Sequence, residues 1–261
     1  MTILVIDLSY YTFYRYYATI SWYKRAYPDE DIIDYSENVV FLEKFEKMFI
    51  ETIKKYQKKF KVEKTYLCKD CPRSRIWRND FYKEYKSNRD TKEFKGGNVF
   101  KYSFEELIPK ILNNDTFLLH VDKLEGDDII YLLTKHEKSK SDIIIIASDH
   151  DLLQIVSSNS KVSIYEASMK NITNKARKSK DEHNFLKAVL GDPSDNIMKI
   201  EKGLGEKTAL KLYNDKNLLL KKFREDKELF KKYNLNRLLV DFNYIPNELE
   251  DIFKNKYDNI I

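Results

Sequence analysis

The sequence predicts an α/β fold built on a mostly parallel sheet, and three observations point there. Four short apolar runs, Ile3–Ile6, Thr65–Cys68, Phe117–Val121 and Ile143–Ala147, are rich in branched or aromatic residues, as buried strands are. Each is separated from the next by a helical stretch, the alternation that produces parallel strands with covering helices. From about residue 181 the pattern changes to short helices, with Phe185, Val189, Leu210, Leu212, Leu218 and Phe223 as their apolar positions. The expected division is an α/β core over residues 1–180 and a helical region over 181–261.

The elements follow in order. Val40, Phe41, Phe45, Phe49, Ile53 and Tyr56 recur at a helical period across residues 38–60. Residues 126–135 and 149–156 read as further helices. Residues 71–100 are the least core-like: basic, aromatic, and ending in Lys95-Gly96-Gly97-Asn98, which reads as a loop.

Composition limits the classes. Of 261 residues, 42% are hydrophobic, so a sizeable core can form, and 34% are charged, above the usual share of about 25%. Lys plus Arg number 47 and Asp plus Glu 42, a net +5 too small to name a partner, so the placement of each sign carries the information. Two cysteines, Cys68 and Cys71, exclude a disulfide framework and read as reduced thiols of a cytosolic protein. The five-residue apolar run near Met1 lacks a basic flank and is no signal peptide, and no apolar stretch approaches the roughly 20 residues of a membrane span.

The acidic residues are placed where chemistry is expected. Asp7 follows the first run, Asp70 the second, Asp149 and Asp151 the fourth; Glu125, Asp127 and Asp128 follow the third and open a helix. In an open parallel sheet, functional groups gather at the carboxyl ends of the strands. Asp192 and Asp195 add a pair in Leu-Gly-Asp-Pro-Ser-Asp-Asn. One acid after a strand is usually a helix cap, but four acidic strand ends are hard to assign to capping alone. Clustered carboxylates need cations; oxygen ligands without His or Cys select Mg²⁺ or Mn²⁺; and two ions about 4 Å apart suit in-line displacement at phosphorus. An aspartyl-phosphate enzyme would place its Asp-x-Asp pair after the first strand, where only Asp7 stands.

Plotted as a helix, residues 73–92 align Arg75, Arg78, Tyr82, Lys86 and Arg89 in one stripe beside Trp77, Phe81 and Tyr85. Phosphate-facing cations next to stacking rings suit single-stranded nucleic acid; a solvated basic face is the alternative. Lys202-Gly203-Leu204-Gly205-Glu206-Lys207 sets a glycine turn before a helix, a place where backbone N–H groups bind phosphate, with Lys199, Lys202 and Lys207 adding charge. An ordinary helix–turn–helix connection is the alternative.

Taken together, Val-Ile-Asp7, Glu125-Gly-Asp-Asp128, Ser-Asp149-His-Asp151, Gly-Asp192-Pro-Ser-Asp195-Asn and Gly203-Leu-Gly-Glu-Lys-Thr-Ala resemble the flap endonuclease and 5′→3′ exonuclease superfamily over nearly the whole chain. Trp77-Arg78-Asn-Asp-Phe81, Tyr85-Lys-Ser-Asn-Arg89 and Leu239-Val-Asp-Phe-Asn-Tyr-Ile-Pro246 are similar to its phage RNase H branch. The resemblance implies a PIN-like α/β nuclease core, an arch over about 71–100 that passes a 5′ single strand, and a helix–hairpin–helix. It implies that Asp7, Asp70, Glu125 and Asp127 hold one Mg²⁺, that Asp149 lies between sites, and that Asp128, Asp151, Asp192 and Asp195 hold or orient a second, with Mn²⁺ as substitute. Lys86 and Arg89 would contact the scissile phosphate and act with Asp127 and Asp149 in catalysis; Arg75, Arg78, Tyr82, Lys202, Gly203, Gly205 and Lys207 would bind DNA. A potassium ion would sit on hairpin carbonyls, although Lys199 and Lys202 stand where glycines are common and the hairpin has one extra residue. The implied substrates are RNA–DNA and DNA duplexes with 5′ ends or flaps, cut by a monomer in the cytoplasm of a phage-infected host, with single-strand-binding protein and clamp as candidate partners. A non-catalytic junction-binding protein and a PIN-type single-stranded ribonuclease are the alternatives.

Overall fold

The structure, a computed structural model, describes residues 1–30, 34–89, 94–137, 140–156 and 161–260. Its centre is β1 (Thr2–Asp7), with Ile3, Leu4, Val5 and Ile6 all fully buried. Burial on both faces explains the unbroken apolar run, and each such side chain contributes about 1.5–3 kcal/mol on transfer from water. After β1 come α1 (Leu8–Ala26), α2 (Val39–Phe60) and β2 (Lys64–Cys68). Then follow α3 (Gly97–Tyr102), a π-helical turn, α4 (Ile108–Ile111), β3 (Thr116–Leu119), α5 (Gly126–Glu137), β4 (Asp142–Ile146) and β5 (Val162–Tyr165). Among the described residues these strands form one five-stranded sheet in the order β3-β2-β1-β4-β5, with every pairing parallel. The expected α/β class is therefore observed.

The alternation along β1 divides the core. Leu4 and Ile6 join the aromatic face of α1 and α2, while Ile3 and Val5 join α5 and the final helix. Helix α2 starts where Asn38 accepts a hydrogen bond from the Phe41 N–H at 2.8 Å and stops at Lys61, which takes a left-handed φ of 52°. It buries Phe41, Phe45, Phe49, Ile53 and Tyr56 as the spacing predicts; Val40, expected on that face, is exposed because it lies in the first turn.

Several elements differ from expectation. β5 is a short edge strand, which the polar Ser163 and neighbouring lysines hid. Residues 149–156 form a 3₁₀ turn (His150–Ile155) capped by Asp149 rather than an α-helix. Gly97 and Asn98, read as loop, open α3. The expected helix over 73–92 is absent among the described residues: 3₁₀ turns at Arg73–Arg75 and Trp77–Asp80 are followed by further turns, and Lys86 takes φ 54°. Residues 90–93 of the expected arch, Lys92 included, lie outside the described residues.

The helical region comprises α6 (Lys180–Leu190), α7 (Glu206–Asn214), α8 (Lys216–Glu225), α9 (Lys227–Val240) and α10 (Asn247–Asp258). α6 to α9 share a small core of Phe185, Val189, Leu212, Phe223 and Leu229. Beyond them Phe242, Phe253 and Tyr257 return to the apolar cluster under the sheet, and the Tyr257 hydroxyl donates to Glu137 at 2.8 Å. No helix among the described residues is long and apolar enough to cross a membrane.

Candidate active site

The strand order reverses direction around β1, so the crevice at the carboxyl ends of β1, β2 and β4 is where a site is expected. Local capping fixes the acids there. Asp7 Oδ1 accepts from Tyr10 N–H at 3.0 Å and starts α1. Asp149 Oδ1 accepts from Asp151 N–H at 2.8 Å. Asp70 Oδ1 accepts from Gly126 N–H at 2.6 Å, and a Cβ on Gly126 would stand 3.2 Å from that oxygen. Capping and ligation are thus compatible, because each carboxylate keeps a second oxygen.

The acids repel one another strongly. Burial raises Asp7 to about 8, with the neighbouring Asp70 and Asp149 adding to the effect. Burial, then Asp149 and Asp7, drive Asp127 well above the usual carboxylate range, and its Oδ1 is buried with no hydrogen-bond partner among the described residues. Asp151 is raised to about 7 by burial and by Asp149. Asp149 thus acts on Asp7, Asp127 and Asp151 alike. Ligand oxygens of Asp151, Asp192 and Asp195 lie within 4.8 Å of one another. An all-oxygen donor set, one orphaned buried oxygen and carboxyls pushed toward protonation fit hard divalent cations.

Asp192 and Asp195 arrive on a tight turn. Asp192 accepts from Ser194 N–H at 2.9 Å and Ser194 Oγ at 2.6 Å. Gly191 makes the turn possible: its φ is 71°, and a Cβ there would stand 2.3 Å from the Ile197 carbonyl oxygen. Lys187 on α6 pairs with both Asp151 and Asp192. Despite burial, those two carboxylates hold its ammonium above the ordinary lysine value. The sequence reading missed Lys187; its signal was a basic residue in the last turn of a helix, five positions before an aspartate.

A second group of charges is fully paired. Arg78, expected on a phosphate-facing stripe, is only 3% exposed and makes a two-point contact with Asp128: Nη1 at 2.9 Å and Nη2 at 2.8 Å, with Nη1 also 2.8 Å from Glu125. Asp128 also accepts from Trp77 Nε1 at 3.1 Å and from the Glu125 N–H at 3.1 Å. Glu125 accepts from Lys86 at 2.5 Å and from the Tyr85 hydroxyl at 3.1 Å. Burial opposes its charge, but Lys86 and Arg78 prevail and lower its pKa. The expectation that Arg78 faces DNA is corrected here, because its guanidinium is buried against Glu125 and Asp128; these two expected metal ligands are paired with it and with Lys86.

The segment carrying Lys86 and Arg89 is fixed to the Asp192–Asn196 turn. Lys86 N–H donates to the Asp195 carbonyl at 3.0 Å, Asn88 to the Pro193 carbonyl at 2.7 Å, and Asn196 to the Glu84 carbonyl at 2.9 Å. Arg89 reaches Asp195 at 2.5 Å, and Tyr85 reaches its other oxygen at 3.1 Å. Tyr82 donates to the Asn196 carbonyl at 3.2 Å. Arg75 is exposed and pairs with Asp122. Lys202, Gly203, Gly205 and Lys207 are exposed around the start of α7. A cleft of about 980 Å³ runs from Tyr82 and Asn88 past Pro193 to Lys199, Lys202, Gly203 and Lys232. Both cysteines are free and buried, and burial pushes the Cys71 thiol up to about 12.

The profile of the family described as "5'-3' exonuclease, N-terminal resolvase-like domain" matches residues 2–185. A 5′-3′ exonuclease of Mycoplasmopsis pulmonis is 33% identical over 183 residues, covering 67% of this chain and 59% of that protein. Ribonuclease H of enterobacteria phage T4 is 26% identical over 220 residues, 75% of this chain and 70% of that protein. The chain spans about half the length of the 5′-3′ exonucleases of Mycoplasmopsis pulmonis and Bacillus subtilis. In fold it is similar to the bacteriophage T5 5′-exonuclease solved with zinc, with a TM-score of 0.70 and 18% identity over 100% of this chain and 99% of the other. The T5 flap endonuclease solved with DNA and metal ions gives a TM-score of 0.69 with the same identity and coverage. A match over residues 2–185, carrying Asp7, Asp70, Asp127, Asp149 and Asp151, makes this chain a member of the 5′-3′ exonuclease family.

Proposed function

We propose that the protein is a Mg²⁺-dependent, structure-specific 5′ nuclease that cuts RNA–DNA hybrids and branched or 5′-overhang DNA during replication. The observation that carries this reading is the crevice at the strand ends, where Asp7, Asp127 and Asp151 are driven toward protonation beside a trio of close carboxylates. Asp7, Asp70, Asp127 and Asp149 would hold one divalent ion and Asp151, Asp192 and Asp195 a second. Two such ions supply an activated water and stabilise the leaving oxygen of an in-line displacement. The bond formed is water oxygen to phosphorus; the bond broken is phosphorus to the 3′ oxygen, leaving a 5′-phosphate and a 3′-hydroxyl.

The chain's own cations complete the site. Lys86 and Arg89 border the carboxylates at Glu125 and Asp195, where they can meet charge developing on a phosphate. Glu125 and Tyr85 hold Lys86 and Asp195 in place. The cleft from Asn88 to Lys202 and Gly203, with α6 and α7 as the helices of a helix–hairpin–helix, would seat the duplex by phosphate contacts that read no sequence. Lys199 donates to the Leu204 carbonyl at 3.0 Å, so that hairpin oxygen already has a cation, and binding should depend little on potassium.

The test is cleavage with Mg²⁺ of a labelled 5′-flap duplex, an RNA–DNA hybrid with a 5′ end, and free single-stranded RNA. Cutting of the first two supports the proposal. Cutting only of the RNA would show a single-strand ribonuclease, and binding without cutting a junction-binding protein.

A further inference from the structure

Lys187, which pairs with Asp151 and Asp192, also lines a second cavity that the nuclease reading does not use. Its volume is about 540 Å³, and His150, Lys175, Arg177, Lys178, His183 and Lys187 are among its lining residues. Glu182 is the acid among the lining residues, and Arg177 pairs with Glu206 at 2.6 Å. His183 is 91% buried on α6, and its Nε2 has no hydrogen-bond partner among the described residues. A buried imidazole nitrogen without a partner is costly unless something completes it. Burial foremost, then Lys187 and Arg177, lower the His183 pKa to about 4.

We propose that this cavity is a phosphate subsite for a backbone phosphodiester of the nucleic-acid strand that enters the active site. A phosphate oxygen only accepts hydrogen bonds, so His183 would present Nε2–H to it, with Lys175 and Lys178 supplying charge from the rim. Lys175 Nζ already lies 3.3 Å from His150 Nε2, which holds it over the cavity. Lys187 links the two sites: its ammonium pairs with Asp151 and Asp192, and the residue lines the cavity. A strand with one phosphate at the acids therefore has this positive cavity beside it. The inference rests on the nuclease reading for the identity of the strand, not for the presence of the subsite.

The test uses the full chain without divalent ions. Binding of a 5′-overhang duplex is measured as a function of salt for the wild type, for Lys175→Ala/Lys178→Ala, and for Lys221→Ala/Lys231→Ala as a control at exposed lysines elsewhere. Each lost phosphate contact should lower the slope of log K against log salt by about 0.9, so the rim variant should lose between about 1 and 2 and the control nothing. Titration with inorganic phosphate should shift the His183 ring resonances of the wild type and not of the rim variant. An unchanged slope in the rim variant overturns the proposal, and a phosphate response with an unchanged duplex slope overturns it in favour of a small-anion pocket. Wild-type cleavage of the same duplex in Mg²⁺ separates the two ideas: binding loss without wild-type cleavage removes the nuclease reading alone, and cleavage with an unchanged slope removes the subsite alone.

Discussion

Two groups of carboxylates lie side by side in this protein in opposite surroundings. Glu125, Asp128 and Asp195 have arginine, lysine and tyrosine partners supplied by residues 77–89. Asp7, Asp127 and Asp149 face chiefly one another. Lys86 and Arg78 lower the pKa of Glu125 against its burial, while burial and neighbouring acids raise those of Asp7 and Asp127. The difference shows that the position of an acid after a strand does not by itself set its charge state; the cations the fold places beside it do.

The contrast can be broken most sharply at Asp127. Asp127→Asn should lower flap cleavage by roughly a thousandfold or more, the scale of losing a preorganised charge-stabilising group. The same change should raise the melting temperature in EDTA, since it removes a repelling charge. A lower melting temperature would place Asp127 with the paired acids. Asp128→Asn should do the reverse: it strands the Arg78 guanidinium, costs about 3–5 kcal/mol of stability by denaturant unfolding, and alters cleavage only through unfolding. If instead Mg²⁺ affinity falls while stability holds, Asp128 is a metal ligand.

Lys86 sharpens the border between the groups. Lys86→Ala should slow cleavage by about a hundredfold at saturating substrate, with a smaller effect on duplex affinity, if its charge acts on the scissile phosphate. A pH series tests the unpaired group. Asp7 and Asp151 titrate at about 8 and about 7 in the folded chain, and near the ordinary carboxylate value when unfolded. The folded state therefore binds the extra protons, so the stability they contribute is complete below about pH 4 and is lost as pH rises toward 8. In EDTA the melting temperature should fall between pH 5 and 8 by on the order of 3 °C per pH unit, and Mg²⁺ should remove most of that slope. A flat profile in EDTA would mean the acids are not in mutual contact. The smallest effect is expected at the exposed Arg75–Asp122 pair, where Arg75→Ala should change stability by less than about 1 kcal/mol.

Much of this was legible in the sequence. Unbroken apolar runs such as Ile3–Ile6 and Ile143–Ile146 specify buried parallel strands, because only a strand covered on both faces needs apolar residues at every position. Parallel strands then deliver their following residues to one edge, so Asp7, Asp70 and Asp149 were readable as neighbours from their place after each run. β5 was not readable, since an edge strand need not be apolar throughout.

Residues 73–89 show the limit. Their spacing fits an amphipathic helix, yet the chain there follows hydrogen bonds to carbonyls and carboxylates more than 100 positions away, such as Lys86 N–H to Asp195 and Asn88 to Pro193. A period read along the chain holds no information about such partners. The sequence by itself determined four of the five strands, the order of their acidic ends and the carboxylate character of the crevice. Only the tertiary structure decided which acids pair with Arg78, Lys86, Arg89 and Lys187 and which face other acids, because pairing a charge depends on distances of a few ångströms between segments that the chain itself keeps far apart.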